Sequence, residues 1–291
     1  MSLRYVSTLL SLLLVSLPSS ATVLTSIKPI QMITHELTLG VETPNVLLGS
    51  NTSPHDYALK PSDVKQINEA ELVIWFGQDL EPFLSKILSN RTNVLTLSDD
   101  SRLMLREFAD AHAHEGHDHG TRDPHFWLAT EQASQAAHII SGKLMQLDPD
   151  NKATYEANLQ QFITGLATTK EEIAQQLAPV TDKGYYVFHD AYDYFEKEFG
   201  LNNLGYFTVN PDRKPGAKTL IKIRTELRSN SVACVFSEPQ FTPAVIESVV
   251  RGSQVNIGQL DPIGIEIEVG KDSYFHFLKA LSNSYYQCLS Q

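Results

Sequence analysis

The stretch DPDNKATYEANLQQFITGLATTKEEIAQQLAP, residues 148–179, decides the fold. Asp148 is placed to cap a helix, Pro149 suits a first helical position where a missing N–H costs nothing, and Asp150 favours the positive end of the dipole. Apolar residues then recur at helical spacing, at Tyr155, Leu159, Phe162, Leu166, Ile173 and Leu177. Gln160, Lys170, Glu171 and Gln175 lie between them, so one stripe packs and the rest faces water. Pro179 stops the run. Unbroken, at about 1.5 Å per residue, the helix spans roughly 40 Å. The alternative is two ordinary helices broken near Gly165, where a glycine costs only about 1 kcal/mol.

Working outward, the chain before and after this helix reads as the same unit twice. Before it, strands are expected at Val23–Ser26, Val46–Leu48, Leu72–Phe76 and Val94–Leu97. Helical patterns alternate with them at Ile30–Leu39, about Ser62–Ala70 and Glu81–Leu88. After it, strands Tyr185–Phe188, Leu204–Val209, Val232–Phe236 and Val255–Ile257 alternate with helices Tyr192–Phe199, Thr219–Arg228 and Thr242–Arg251. Helices Thr130–Leu147 and Ser273–Cys288 close the two halves. The expected fold is therefore α/β: two pseudo-repeated parallel-sheet (βα)4 lobes joined by one long backbone helix. Open sheets of this kind bind ligands beyond the carboxyl ends of their strands, which places a site in the cleft between the lobes.

The first residues belong to neither lobe. Arg4 supplies a positive start, Val6–Leu17 an apolar run and Ser19-Ser20-Ala21 a small-residue cleavage site, the pattern of a secretory leader. We divide the chain into a signal peptide at 1–21, a first lobe at 22–148, a linking helix at 149–179 and a second lobe at 180–291. The apolar run is too short to span a bilayer, so an exported protein without membrane insertion is expected. The formal charge is −11, or −12 once Arg4 leaves with the leader, and such a chain repels nucleic acid and anionic lipid. Its two cysteines, Cys234 and Cys288, both lie in the second half. In an oxidising compartment they most simply pair; two buried free thiols are the alternative.

Four candidate groups map to strand ends. His55, in Ser53-Pro54-His55-Asp56-Tyr57, follows the second strand of the first half, and His125, in Asp123-Pro124-His125-Phe126-Trp127, follows its fourth. His189 ends the first strand of the second half, and Asp261, in Leu260-Asp261-Pro262, follows its fourth. Asp123-Pro124 and Asp261-Pro262 occupy equivalent places in the repeat. Three imidazoles with an oxygen in a fourth position match Zn²⁺, which prefers about four N, O or S ligands. Asp261 is the candidate for that fourth position, as a ligand or as a second-sphere partner. His35, His138 and His276 fall within helices, and His35-Glu36 begins no helical zinc-hydrolase motif because Leu39 stands four residues on. A further stretch within 108–122, Ala111–Gly120, carries His112, His114, His117 and His119 with two acidic residues and two glycines. Its composition suits a weak metal-collecting loop, against an inert solvated one.

Taken together, Pro54-His55-Asp56-Tyr57, His125-Phe126-Trp127-Leu128, Phe188-His189-Asp190-Ala191-Tyr192 and Leu260-Asp261-Pro262-Ile263-Gly264 resemble, in order, the motifs of the zinc-specific substrate-binding proteins of ABC importers, the ZnuA type. The His-rich loop, the long helix and the cysteine pair match as well, and the likeness covers Thr22–Gln291. It implies that His55, His125 and His189 bind Zn²⁺, and that the loaded protein docks on a membrane permease. A periplasmic, monomeric receptor rather than an enzyme is expected. Manganese binders of similar architecture carry a carboxylate where this chain has His189. Some zinc members have an acidic residue immediately before the first His; here that place is Pro54. The alternatives weighed against a zinc receptor are a manganese receptor of the same fold and a secreted zinc hydrolase.

Overall fold

A computed structural model of the chain describes residues 22–49, 52–107, 122–212, 214–228, 232–242 and 244–291. The leader expected at 1–21 and the loop histidines 112, 114, 117 and 119 lie outside the described residues.

The expected alternation of strands and helices is present in both halves. The first contains β1 (Val23–Thr25), α1 (Lys28–Thr38), β2 (Asn45–Val46), α2 (Pro61–Glu69), β3 (Leu72–Trp75), α3 (Pro82–Leu88), β4 (Val94–Thr96) and α4 (Thr130–Leu147). After α5 (Lys152–Leu177), the second contains β5 (Gly184–His189), α6 (Asp193–Phe199), β6 (Asn203–Thr208), α7 (Ala217–Glu226), β7 (Val232–Ser237), α8 (Ala244–Val250), β8 (Asn256–Gln259) and α9 (Ser273–Leu289). All strand pairs within the two sheets are parallel, and the orders β2-β1-β3-β4 and β6-β5-β7-β8 are the same order twice. The central strands read LVIW in β3 and YYVF within β5 because helices cover both faces and no alternation with polar residues is needed.

The helix α5 is continuous, and the six apolar positions of its expected stripe are all buried. Gly165 does not break it. A Cβ there would lie 2.4 Å from the ring of Phe275, so the glycine lets α9 pack directly on the helix backbone. Asn158, on the same face, donates to the carbonyls of Leu37 and Leu39, both at 2.9 Å, and so closes the open end of α1. The entry differs from expectation. A 3-10 turn over Pro149–Asn151 precedes α5, and Asp148 makes no cap bond to the backbone. Its carboxylate accepts instead from Asn151 at 2.8 Å and from the Tyr155 hydroxyl at 2.9 Å.

One apolar cluster runs through α1, α4, α5 and α9 and joins the inner faces of both sheets, while two smaller clusters lie under the outer helices. Cys234 of β7 and Cys288 of α9 form a disulfide, with Cα atoms 6.0 Å apart, that ties the closing helix to the second sheet. The free-thiol alternative is thereby excluded. Polar contacts lock the lobes together beside the cleft. Trp127 Nε1 donates to the Pro262 carbonyl at 2.7 Å, the Tyr274 hydroxyl to the Trp127 carbonyl at 2.6 Å, and Lys28 Nζ to the Ile265 carbonyl at 2.8 Å. Among the described residues no helix is long and apolar enough to cross a membrane.

Candidate metal centre

In each sheet the chain leaves the two central strands toward opposite edges, which opens a crevice at their carboxyl ends. His189 stands at that point in the second sheet, as the last residue of β5, and is buried. His125 reaches the same place from the first lobe. Its turn begins at Asp123, whose Oδ1 accepts from the His125 backbone N–H at 3.0 Å, and ends in the 3-10 turn Phe126–Leu128. His55 comes from the loop after β2 and is half-buried. Its N–H donates to Ser53 Oγ at 3.3 Å, and Ser53 in turn donates to Asp212 of the second lobe at 2.8 Å.

The three rings converge, with centroids 5.2 to 5.8 Å apart, and each offers a nitrogen within 4.8 Å of the other two. Among the described residues this is the one group of three or more His, Cys, Asp or Glu so arranged. Two of the rings are held by carboxylates: His125 Nδ1 by Asp123 at 2.8 Å and His189 Nδ1 by Glu238 at 2.6 Å. With an acceptor on each Nδ1, the proton sits there and each Nε2 keeps its lone pair. Those two Nε2 atoms face one another at 3.4 Å. Tetrahedral ligands at the usual Zn–N length of about 2.0–2.1 Å stand about 3.3–3.4 Å apart, so the pair already has the edge length of such a site. Two lone pairs aimed at a common point repel unless a cation lies between them.

Burial, reinforced by the charge His189 would carry, holds His125 well below the usual imidazole range, so at neutral pH it is a neutral imidazole. Burial pushes Asp123 up to about 7, against the pull of the His125 N–H, of His189 and of Arg106. The walls are largely apolar, from Pro54, Trp127, Pro211, Phe241 and Pro262.

Asp261 stands elsewhere in the same rim. Its Oδ1 accepts from the N–H groups of Ile263 and Gly264, at 3.1 and 3.0 Å, and from Gln240 at 2.8 Å; its other oxygen accepts from the Ile265 N–H. It is not part of the converging group. Glu238 has no histidine near it in the chain, so its sequence neighbourhood does not mark it as an imidazole partner; the one signal is a lone acid directly after the buried strand Val232–Ser237. In the sequence Asp123 stands as a mark of the repeat, and its place two residues before His125 suits an Asp that holds the N–H ahead of it.

Two like lobes packed on one stiff helix, with imidazoles from both meeting in the cleft, define a two-lobed receptor for a small cation. The chain belongs to the family described as zinc-uptake complex component A, periplasmic, whose pattern matches residues 23–288. It is 44% identical to the high-affinity zinc uptake system protein ZnuA of Yersinia pestis, over 93% of this chain and 92% of that one. The protein of the same name from Haemophilus influenzae is 39% identical over 97% of this chain and 96% of its own. A crystal structure of ZnuA superposes with a TM-score of 0.79 at 25% identity, covering 93% of this chain and 99% of the other.

Proposed function

We propose that this protein captures Zn²⁺ in the periplasm, between its two lobes, and delivers it to the membrane permease of an ABC importer. His55, His125 and His189 are the protein ligands, and water fills the fourth position while Asp261 holds its own loop. The observation that carries the reading is the facing pair of Nε2 atoms, 3.4 Å apart, each backed by a carboxylate on its Nδ1. Membership in a zinc-uptake family and relatives named for high-affinity zinc uptake support the same metal. A set of three imidazoles suits zinc better than manganese, which favours carboxylate, carbonyl and water oxygens. The chain acts as a monomeric receptor rather than an enzyme, and the loop histidines 112, 114, 117 and 119 gather metal weakly ahead of the tight site.

Protein purified without chelator should hold about one equivalent of tightly bound zinc, measured by elemental analysis and chelator competition. It should turn over no ester, peptide or phosphate substrate. His189→Ala should lose more affinity than the about 10–100-fold that removal of an outer partner costs. Wild-type zinc affinity in His189→Ala would overturn the inter-lobe site, and hydrolytic turnover that depends on the bound zinc would overturn the receptor reading.

A further inference from the structure

Glu238 follows β7, the strand beside β5, and therefore meets His189 at the crevice of the second sheet. Its side chain is 1% exposed. Oε1 accepts from His189 Nδ1 at 2.6 Å, whereas Oε2 makes no hydrogen bond of good geometry among the described residues. The nearby Tyr192 hydroxyl is held well above the usual phenol range, by burial first and then by the Glu238 carboxylate it lies against. A buried carboxylate with only neutral partners costs free energy unless a positive charge compensates it. Asp123 differs, because it also fixes the backbone N–H of its turn. The Glu238 carboxylate is directed at His189 and holds no N–H of its own loop among the described contacts.

We propose that Glu238 is a positioning residue for the metal. It keeps His189 in the tautomer whose Nε2 faces the site, and it sets a carboxylate behind one of the three neutral imidazoles that would hold a dication. The inference rests on the zinc reading of the site. Removing the Glu238 carboxylate should therefore lower metal affinity without weakening the metal-free fold, since a buried charge with only neutral partners leaves with it.

The test compares the full wild-type chain with Glu238→Gln, Glu238→Asp and His189→Ala. Chelator-competition zinc titrations are combined with ¹⁵N NMR of the histidine rings and thermal melts of the metal-free proteins. Glu238→Gln should lose about 10–100-fold in zinc affinity, melt no lower than wild type, and show His189 in mixed tautomers, because the amide can donate to Nδ1 as well as accept from it. Glu238→Asp keeps the charge but is one methylene short, and its affinity should fall between the two. Unchanged affinity in Glu238→Gln, or a loss accompanied by a lower melting temperature and an unchanged tautomer, would overturn the proposal. Wild-type affinity in Glu238→Asp would show that the contact is not needed and overturn it as well. Full zinc affinity in His189→Ala would instead overturn the zinc site itself.

Discussion

After β4 the first lobe runs Asp123-Pro124-His125, and after β8 the second runs Asp261-Pro262-Ile263. In both, the Asp carboxylate accepts the N–H two residues on, at 3.0 Å and 3.1 Å. The same short turn is thus built twice at the same place in the repeat. The lobes part at the third residue. In the first it is a histidine, and the carboxylate that shapes the turn also grips its ring. In the second it is an isoleucine, and the carboxylate spends its remaining capacity on Gly264, Ile265 and Gln240. The second lobe's imidazole comes from the strand end at His189, with Glu238 in the role that Asp123 plays for His125. An equivalent position in a repeat therefore predicts an equivalent backbone role, not an equivalent side-chain role.

The largest expected difference between the lobes is in stability. Only the second carries a disulfide, which closes a 54-residue separation between β7 and α9. On the chain-entropy model, a loop of this size corresponds to about 4 kcal/mol. Reduction, or Cys288→Ser, should lower the melting temperature and speed hydrogen exchange in β7, β8 and α9 more than in β1 and β3. Equal acceleration in the two sheets would mean that the continuous core couples them too tightly for the lobes to differ.

Next in size is the contrast between the turns in metal binding. Asp123→Asn replaces the carboxylate that accepts from His125 Nδ1 with a neutral amide and should cost about 10–100-fold in zinc affinity, as loss of an outer partner does. A smaller loss than that of Asp261→Asn would reverse the comparison.

A third expectation separates the metal-free fold from the loaded one by pH. Burial raises five carboxyls to about 7: Glu36, Glu42, Glu81 and Asp123 in the first lobe and Glu196 in the second. Raised carboxyls take up protons in the folded state before the unfolded chain does. Their contribution is fully present below about 4.5 and is lost as pH rises through 7. His125 and His35, both lowered by burial, work in the opposite sense but are two groups against five. Metal-free protein should therefore melt higher at pH 5.5 than at pH 7.5, while zinc retention falls over the same range because protons compete for the imidazoles. Parallel pH dependence of the two would remove the distinction.

Much of this was legible in the sequence, for identifiable physical reasons. The stripe from Tyr155 to Leu177 has helical period, and strands such as Leu72–Trp75 are short apolar runs between helical patterns. Histidines at strand ends follow from the rule that sites of open sheets lie there, so His55, His125 and His189 could be named together. Pairing across space was not legible. Glu238 is 49 residues from His189, and nothing in its neighbourhood announces an imidazole. Gly165 read as a weakness in the helix because its reason, the ring of Phe275, lies 110 residues away. The division of labour between Asp123 and Asp261 was hidden by their likeness, since a turn's sequence does not say what its carboxylate will do with a spare oxygen.

The smallest expected effect on zinc belongs to Asp261. Its carboxylate accepts three backbone N–H groups, from Ile263, Gly264 and Ile265, and the amide of Gln240. The loop so formed carries the Pro262 carbonyl that receives Trp127 and the Ile265 carbonyl that receives Lys28, both from the first lobe. Asp261→Asn can keep one acceptor oxygen, but its amide NH₂ would face the Ile265 N–H, donor against donor. The cost should appear in folding, at about 1–3 kcal/mol for a donor left without an acceptor. Zinc affinity should change by less than the about 10-fold lower limit for loss of an outer partner, because no Asp261 oxygen belongs to the converging group. Titration and melting of one protein sample therefore separate the two roles. A stability loss with near-native zinc binding fits a turn that holds the lobes together. A loss of affinity equal to that of Asp123→Asn, with an unchanged melt, would make the second turn a metal-binding element like the first.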